Sequence, residues 1–179
     1  MLVIQNDFAE NMRSGVFWIT LCIAQGAYPD EERVIALREK GITHILNVGG
    51  APFEDSIKKH GFVETRWVPF DDLIRIPDSV AITCINAIFE MLKYPESRVY
   101  IHCVAGQNRS PTVLWLFYIA CGMDADIAKR LIEDRTLDAV AGHPKLVDEK
   151  LIALVKDHGC NHFLPLRRPE IIEPVTLNP

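Results

Sequence analysis

Short apolar runs alternate along this chain with helical stretches of ten or more residues, and that alternation restricts the fold more than any other feature. A connection of that length between strands is a crossover, which makes neighbouring strands parallel and lays the helices over the faces of one sheet. Residues 16–19 and 21–24 are short β-rich runs that pair with or edge a sheet. Residues 30–40 open with Asp30, Glu31 and Glu32, end with Lys40 and meet Gly41, the charge order of a helix with a matched dipole and a glycine cap. Residues 43–48 follow as a buried strand, then a helical stretch to Gly61 and a second strand over 62–68. Apolar positions 81, 82, 85, 88, 89 and 92 keep close to a 3.6 period behind Pro77, which predicts a helix over 77–93. A third strand covers 98–102, a loop 103–109, and an apolar helix 113–121, stopped by Gly122. Further helices are expected at about 125–135 and 144–157. The fold class is therefore α/β, with a mostly parallel central sheet flanked by helices. Ligands of such sheets bind at the carboxyl ends of the strands.

At 179 residues the chain makes one domain, expected over 1–164, with an extended tail over 165–179 that holds four of the eleven prolines. The tail reads as a strap or a frayed terminus rather than a recognition motif. A formal charge of −5 supplies no basic field for an extended polyanion, so nucleic-acid binding is disfavoured while a local anion site is not. No apolar stretch reaches membrane-spanning length, and the first residues lack the basic start of a signal peptide. Five scattered cysteines without a CxxC pair argue against a disulfide framework and a zinc site, so a reduced, cytoplasmic setting is expected. Cys22, Cys84, Cys121 and Cys160 are expected to be small buried hydrophobes.

The third strand ends in His102-Cys-Val-Ala-Gly-Gln-Asn-Arg-Ser-Pro-Thr112. Chance gives a Cys preceded by His, with Gly three and Arg six positions later, about 0.0006 times in a chain of this composition. A loop entering a helix N-terminus aims several backbone N–H groups at one point, and the helix dipole adds positive potential, so the concavity suits a dianion such as phosphate. Val104, Ala105, Gly106, Gln107 and Asn108 would supply the amides, with Gly106 permitting the tight winding. Arg109 would close the ring with a planar fork that matches two phosphate oxygens. Cys103 at the base would be favoured as thiolate and act as nucleophile, and the Ser110 hydroxyl could bond its sulfur as it leaves. His102 either tunes the thiolate or fills space beneath the loop.

A leaving alkoxide or phenoxide needs a proton. Asp71 and Asp72, on a loop between prolines just after the second strand, can overhang a neighbouring strand's site; the residues alone do not choose between them. Arg75 and Arg135 could touch a second phosphate, though each reads better as a surface arginine.

The stretches Gly41-Ile-Thr-His-Ile-Leu-Asn-Val48, Val68-Pro-Phe-Asp-Asp72 and His102 to Thr112 make residues 16–157 resemble the dual-specificity phosphatases of the cysteine-based protein tyrosine phosphatase superfamily. The resemblance implies that family's fold and no metal or other cofactor. Cys103 becomes the nucleophile, Arg109 the phosphate clamp and Ser110 the hydroxyl that assists turnover. The family's acid stands three positions after a proline, which selects Asp72. The implied partner is a phosphorylated protein or peptide carrying phosphotyrosine, phosphoserine or phosphothreonine. Asn108 departs from the common pattern and is similar to RNA 5′-triphosphatases of the superfamily, which keeps a nucleic-acid substrate as an alternative; a phosphate-binding adaptor without turnover is another. The loop lacks the lysine usual in phosphoinositide phosphatases, which disfavours lipid substrates.

Overall fold

The computed structural model describes residues 8–52, 57 and 59–163. In chain order these form α1 (Phe8–Ser14), β1 (Val16–Trp18), β2 (Ile23–Gly26), α2 (Glu31–Glu39), β3 (His44–Asn47), β4 (Glu64–Trp67), α3 (Asp78–Leu92), β5 (Val99–His102), α4 (Arg109–Ala120), α5 (Ala125–Glu133) and α6 (Glu149–His162). One five-stranded sheet has the order β1-β2-β5-β3-β4. β1 pairs antiparallel with β2 at one edge, and every other pairing is parallel. The expected α/β architecture holds. Of the helical stretch expected before Gly61, residues 53–56 and 58 lie outside the described residues, as does the tail over 165–179.

Alternation along the central strands divides the core between the two faces. Ile23, Leu46, Val99 and Ile101 face a large cluster built with α3, α4, α5 and α6, while Ala24, Ile45 and Tyr100 face a smaller one with Val34 and Leu37 of α2. Both faces are covered, so β2, β3 and β5 are buried throughout. The edge strand β4 is only partly covered.

All twelve residues of α4 are buried, which is why its sequence is apolar all round instead of striped. Its end is a Schellman turn: Gly122, at φ +89°, donates to Ile119 O at 2.9 Å and Met123 donates to Tyr118 O at 3.0 Å. α6 crosses so closely that a Cβ on Gly159 would stand 1.9 Å from Ala120 O.

Several boundaries differ from the sequence expectation. β2 starts at Ile23 because Leu21 and Cys22 form the turn in which Ile19 and Thr20 donate to Ile23 O. α4 begins at Arg109, four residues earlier than expected, since Pro111 fits the first turn, where no N–H is needed. α6 begins at Glu149 and not at 144, because the Asp148 carboxylate caps it by accepting from Leu151 N at 2.8 Å. The helix α1 was not expected. Cys22 and Cys84 are buried as expected, but Cys121 is half-buried and Cys160 is exposed on α6, so the hydrophobe assignment fails for Cys160. Burial pushes the Cys84 and Cys121 thiols up to about 12. No helix among the described residues is long and apolar enough to cross a membrane.

Candidate active site

The parallel register aligns the strand ends: Gly26 and Asn47 both lie opposite His102. The segments leaving β2, β3, β4 and β5 therefore emerge along one rim. The loop over 103–108 leads from there directly into α4.

Gly106 takes φ +76°, and a Cβ on it would stand 2.7 Å from Gly26 C and 2.8 Å from Gly26 O. Only glycine allows both this winding and this approach to β2. The loop's carbonyls are tied outward, Val104 O accepting from Tyr28 N at 3.0 Å and Gln107 O from Val140 N at 2.8 Å. Among the described residues the amides of Val104, Ala105, Gln107 and Asn108 donate to no protein acceptor. Two carbonyls bonded to other segments and four unspent amides are the arrangement that an anion-binding nest would use.

Cys103 lies on the floor of this cradle with 3% of its surface exposed. Its Sγ accepts from Gly106 N at 3.2 Å and lies 3.5 Å from the Ser110 hydroxyl, which also reaches Gln25 Oε1 at 3.0 Å. Val104, Ala105 and Gln107 are exposed around the rim, and Asn108 is half-buried.

Arg109 is turned inward and 8% exposed. Its Nη1 donates to Phe70 O at 3.2 Å, its Nε stands 4.0 Å from Asp72 Oδ2, and that buried Nε donates to no acceptor among the described residues. A desolvated donor of this kind is costly unless a further acceptor arrives.

Of the two adjacent acids, Asp72 faces the cradle. Its Oδ1 accepts from Leu73 N at 3.0 Å and its Oδ2 from Asn108 Nδ2 at 3.4 Å. Asp71 is exposed and has no hydrogen bond or ion pair among the described residues. Leu73 adopts φ +58°, a left-handed conformation that an L-residue holds only when its surroundings impose it. The loop is braced at its far end, where Arg75 grips Asp148 through Nε and Nη2 at 2.6 and 3.1 Å and Asp78 at 2.8 Å, while Ile76 N donates to Leu146 O. The same guanidinium holds the Asp148 carboxyl below the ordinary carboxylate range. Arg75 is thus committed away from the cradle. Arg135 is half-buried and donates to Leu131 O, which likewise fits a structural part.

His102 is fully buried, edge-on to Tyr28 and stacked on Tyr100, with Nδ1 3.0 Å from Cys103 O. Burial pushes its pKa down to about 4, so the ring is neutral near pH 7 and pins the strand end beneath the loop. It carries no charge with which to hold a thiolate.

Sequence reasoning missed Gln25, Gly26 and the Phe70 carbonyl. Gln25 alone left a signal, a polar side chain in a strand otherwise made of small and apolar residues.

No family profile matches the chain. It is 29% identical over 116 residues to mouse protein tyrosine phosphatase type IVA 2, covering 64% of this chain and 69% of that protein. It is 28% identical over 94 residues to protein-tyrosine-phosphatase IBR5 of Arabidopsis thaliana, covering 50% of this chain and 31% of that one. Among solved structures, PTPMT1 in complex with PI(5)P aligns with TM-score 0.69 at 16% identity, over 82% of this chain and 98% of that one. TpbA of P. aeruginosa in complex with pTyr aligns with TM-score 0.58 at 14% identity, over 81% and 82%. With a buried cysteine below unspent loop amides and an arginine turned inward beside it, the chain is similar in sequence, fold and local geometry to cysteine-based protein tyrosine phosphatases.

Proposed function

We propose that the chain hydrolyses phosphate monoesters on protein side chains, phosphotyrosine and phosphoserine or phosphothreonine, through a phosphocysteine on Cys103. The observation that carries this reading is Cys103 Sγ at the base of the amide nest, 3.2 Å from Gly106 N, with Arg109 turned inward above it. In the first step the thiolate attacks phosphorus in line, the P–O bond breaks, and the leaving oxygen takes the electron pair together with the proton of Asp72. In the second, water attacks phosphorus and gives a proton to the Asp72 carboxylate, while the S–P bond breaks and its pair returns to sulfur. The amides of Val104, Ala105, Gln107 and Asn108 and the Arg109 fork bind the equatorial oxygens, while Gly106 N stays on the sulfur, so positioning and charge stabilisation supply most of the rate.

Two features favour a protein substrate over the alternatives. Val104, Ala105, Gln107 and Asn108 bring no cation for a second phosphate, as a phosphoinositide or a 5′-triphosphate would use. The Asn108 side chain is spent on Asp72, so its presence requires no nucleic-acid contact. The intact Cys103 favours turnover over passive binding.

The test is hydrolysis of p-nitrophenyl phosphate, inhibited by vanadate and lost in Cys103→Ser, followed by phosphopeptides set against 5′-triphosphorylated RNA and PI(5)P. Activity surviving Cys103→Ser removes the nucleophile assignment; a preference for RNA or lipid removes the substrate class.

A further inference from the structure

Gln25 is fully buried in β2, where its backbone neighbours in the sheet are Phe17 and Ile101. An amide in such a place costs stability unless its donors and acceptor are all paired. Its Oε1 lies 3.0 Å from Ser110 Oγ, but its Nε2 donates to nothing among the described residues. Ser110, also fully buried, has one hydroxyl hydrogen and two candidate acceptors, Gln25 Oε1 at 3.0 Å and Cys103 Sγ at 3.5 Å. While the hydrogen points at Gln25, the sulfur does without it.

Rotating the amide by 180° about Cγ–Cδ exchanges Oε1 and Nε2 and moves no other atom. Nε2 then donates to Ser110 Oγ, which uses that oxygen as acceptor and leaves the hydroxyl hydrogen one destination, Cys103 Sγ. One of the two orphaned N–H groups is satisfied, and in exchange a carbonyl oxygen goes unpaired, which buried sites tolerate better than an unpaired donor. A negatively charged sulfur favours this arrangement, since a hydrogen bond to an ion is the stronger one.

We infer that Gln25 is a positioning residue for breakdown of the phosphocysteine, its amide donating to Ser110 and thereby aiming the Ser110 hydrogen at the sulfur as the S–P bond breaks. The inference rests on the phosphocysteine mechanism proposed above. It touches neither substrate nor phosphorus, and acts only through Ser110.

Gln25→Leu tests it, because leucine of similar volume removes the amide without opening a cavity. With p-nitrophenyl phosphate, kcat should fall about three- to ten-fold, the worth of one hydrogen bond, with a smaller change in kcat/KM. A pre-steady-state burst should appear, and rapid acid quenching should trap more labelled phosphoenzyme than in the wild type. Ser110→Ala should behave likewise, and the double variant should be no slower than Ser110→Ala alone. The melting temperature of Gln25→Leu should hold or rise, since a buried unpaired donor is gone. If leucine does not fold, Gln25→Met, unbranched and of the same length, carries the same expectations.

Additive losses, or full kcat without a burst, overturn the inference. If Ser110→Ala accumulates phosphoenzyme and Gln25→Leu does not, only the role of Gln25 falls. If the quenched wild type never carries label on Cys103, the mechanism falls and the inference with it.

Discussion

Arg109 Nη1 donates to the carbonyl oxygen of Phe70 at 3.2 Å, so the guanidinium at the head of α4 is fastened to the segment that carries Asp72 two residues later. One side chain thus ties the loop before α4 to the Asp72 segment, and its Nε, which donates to no acceptor among the described residues, is the donor the proposed function gives to the ligand. Lysine has one ammonium and no fork, and cannot bond Phe70 O while offering a second donor at the geometry of a phosphate edge.

Arg109→Lys should therefore lower kcat/KM for p-nitrophenyl phosphate by about 10²- to 10³-fold, the scale for losing a preorganised donor to transition-state charge. Vanadate affinity should fall with it. Steady-state kinetics and vanadate titration check both.

Asp72→Ala should slow phosphotyrosine peptides, whose leaving group needs a proton, by about 10²-fold or more, and substrates with a fluorinated, more acidic phenol far less. Asn108→Ala, which removes the 3.4 Å bond to Asp72 Oδ2, should show the same selectivity at smaller size, about three- to ten-fold. Asp71→Ala should not show it. A comparison of kcat across phenols of graded acidity separates the three.

Gly159→Ala should destabilise, although alanine is the better helix former by about 1 kcal/mol at an exposed position. The new methyl would meet Ala120 O at 1.9 Å, a backbone atom of a fully enclosed helix, so the two helices must separate. A loss of about 2 kcal/mol or more, read as a drop of roughly 5–10 °C in Tm, is expected.

Stability should fall as pH drops from about 6.5 to 4. Burial lowers the pKa of His102 to about 4 in the folded chain, so over that interval the unfolded chain binds a proton that the folded one does not. Each such group weakens folding by up to about 1.4 kcal/mol per pH unit. His44 and His158, also shifted down by burial, act in the same direction. His102→Gln should flatten the pH dependence of denaturant unfolding free energy by about one proton's share.

The architecture was legible because strand and helix periods differ and because acids, glycines and prolines mark the ends. Asp30, whose side chain accepts from Arg33 N, and Gly41 at φ +78° bound α2 where the residues indicate. The start of α4 was less legible: Arg109, Ser110 and Pro111 carry no apolar period, and only their burial makes that turn part of the core. The choice between Asp71 and Asp72 depends on which carboxylate the loop turns inward, and that direction follows from Leu73 at φ +58° and the Arg75 brace, neither visible as local propensity. Gln25 is 85 positions from Ser110, and no periodicity links them. Asn108 suggests a nucleic-acid substrate by resemblance, and its 3.4 Å bond to Asp72 Oδ2, a contact 36 positions away in sequence, was not legible beside it.

The enclosure of α4 separates two kinds of change. Its first two residues, Arg109 and Ser110, which the proposed function sets around the anion and the sulfur, are 8% and 0% exposed, so their placement is tied to the packing of the interior. Val104, Leu73 and Ile74 stand in solvent around the same opening. Under the proposed function, preference for one phosphorylated partner over another can therefore drift at these exposed positions while the enclosed residues keep the chemistry constant.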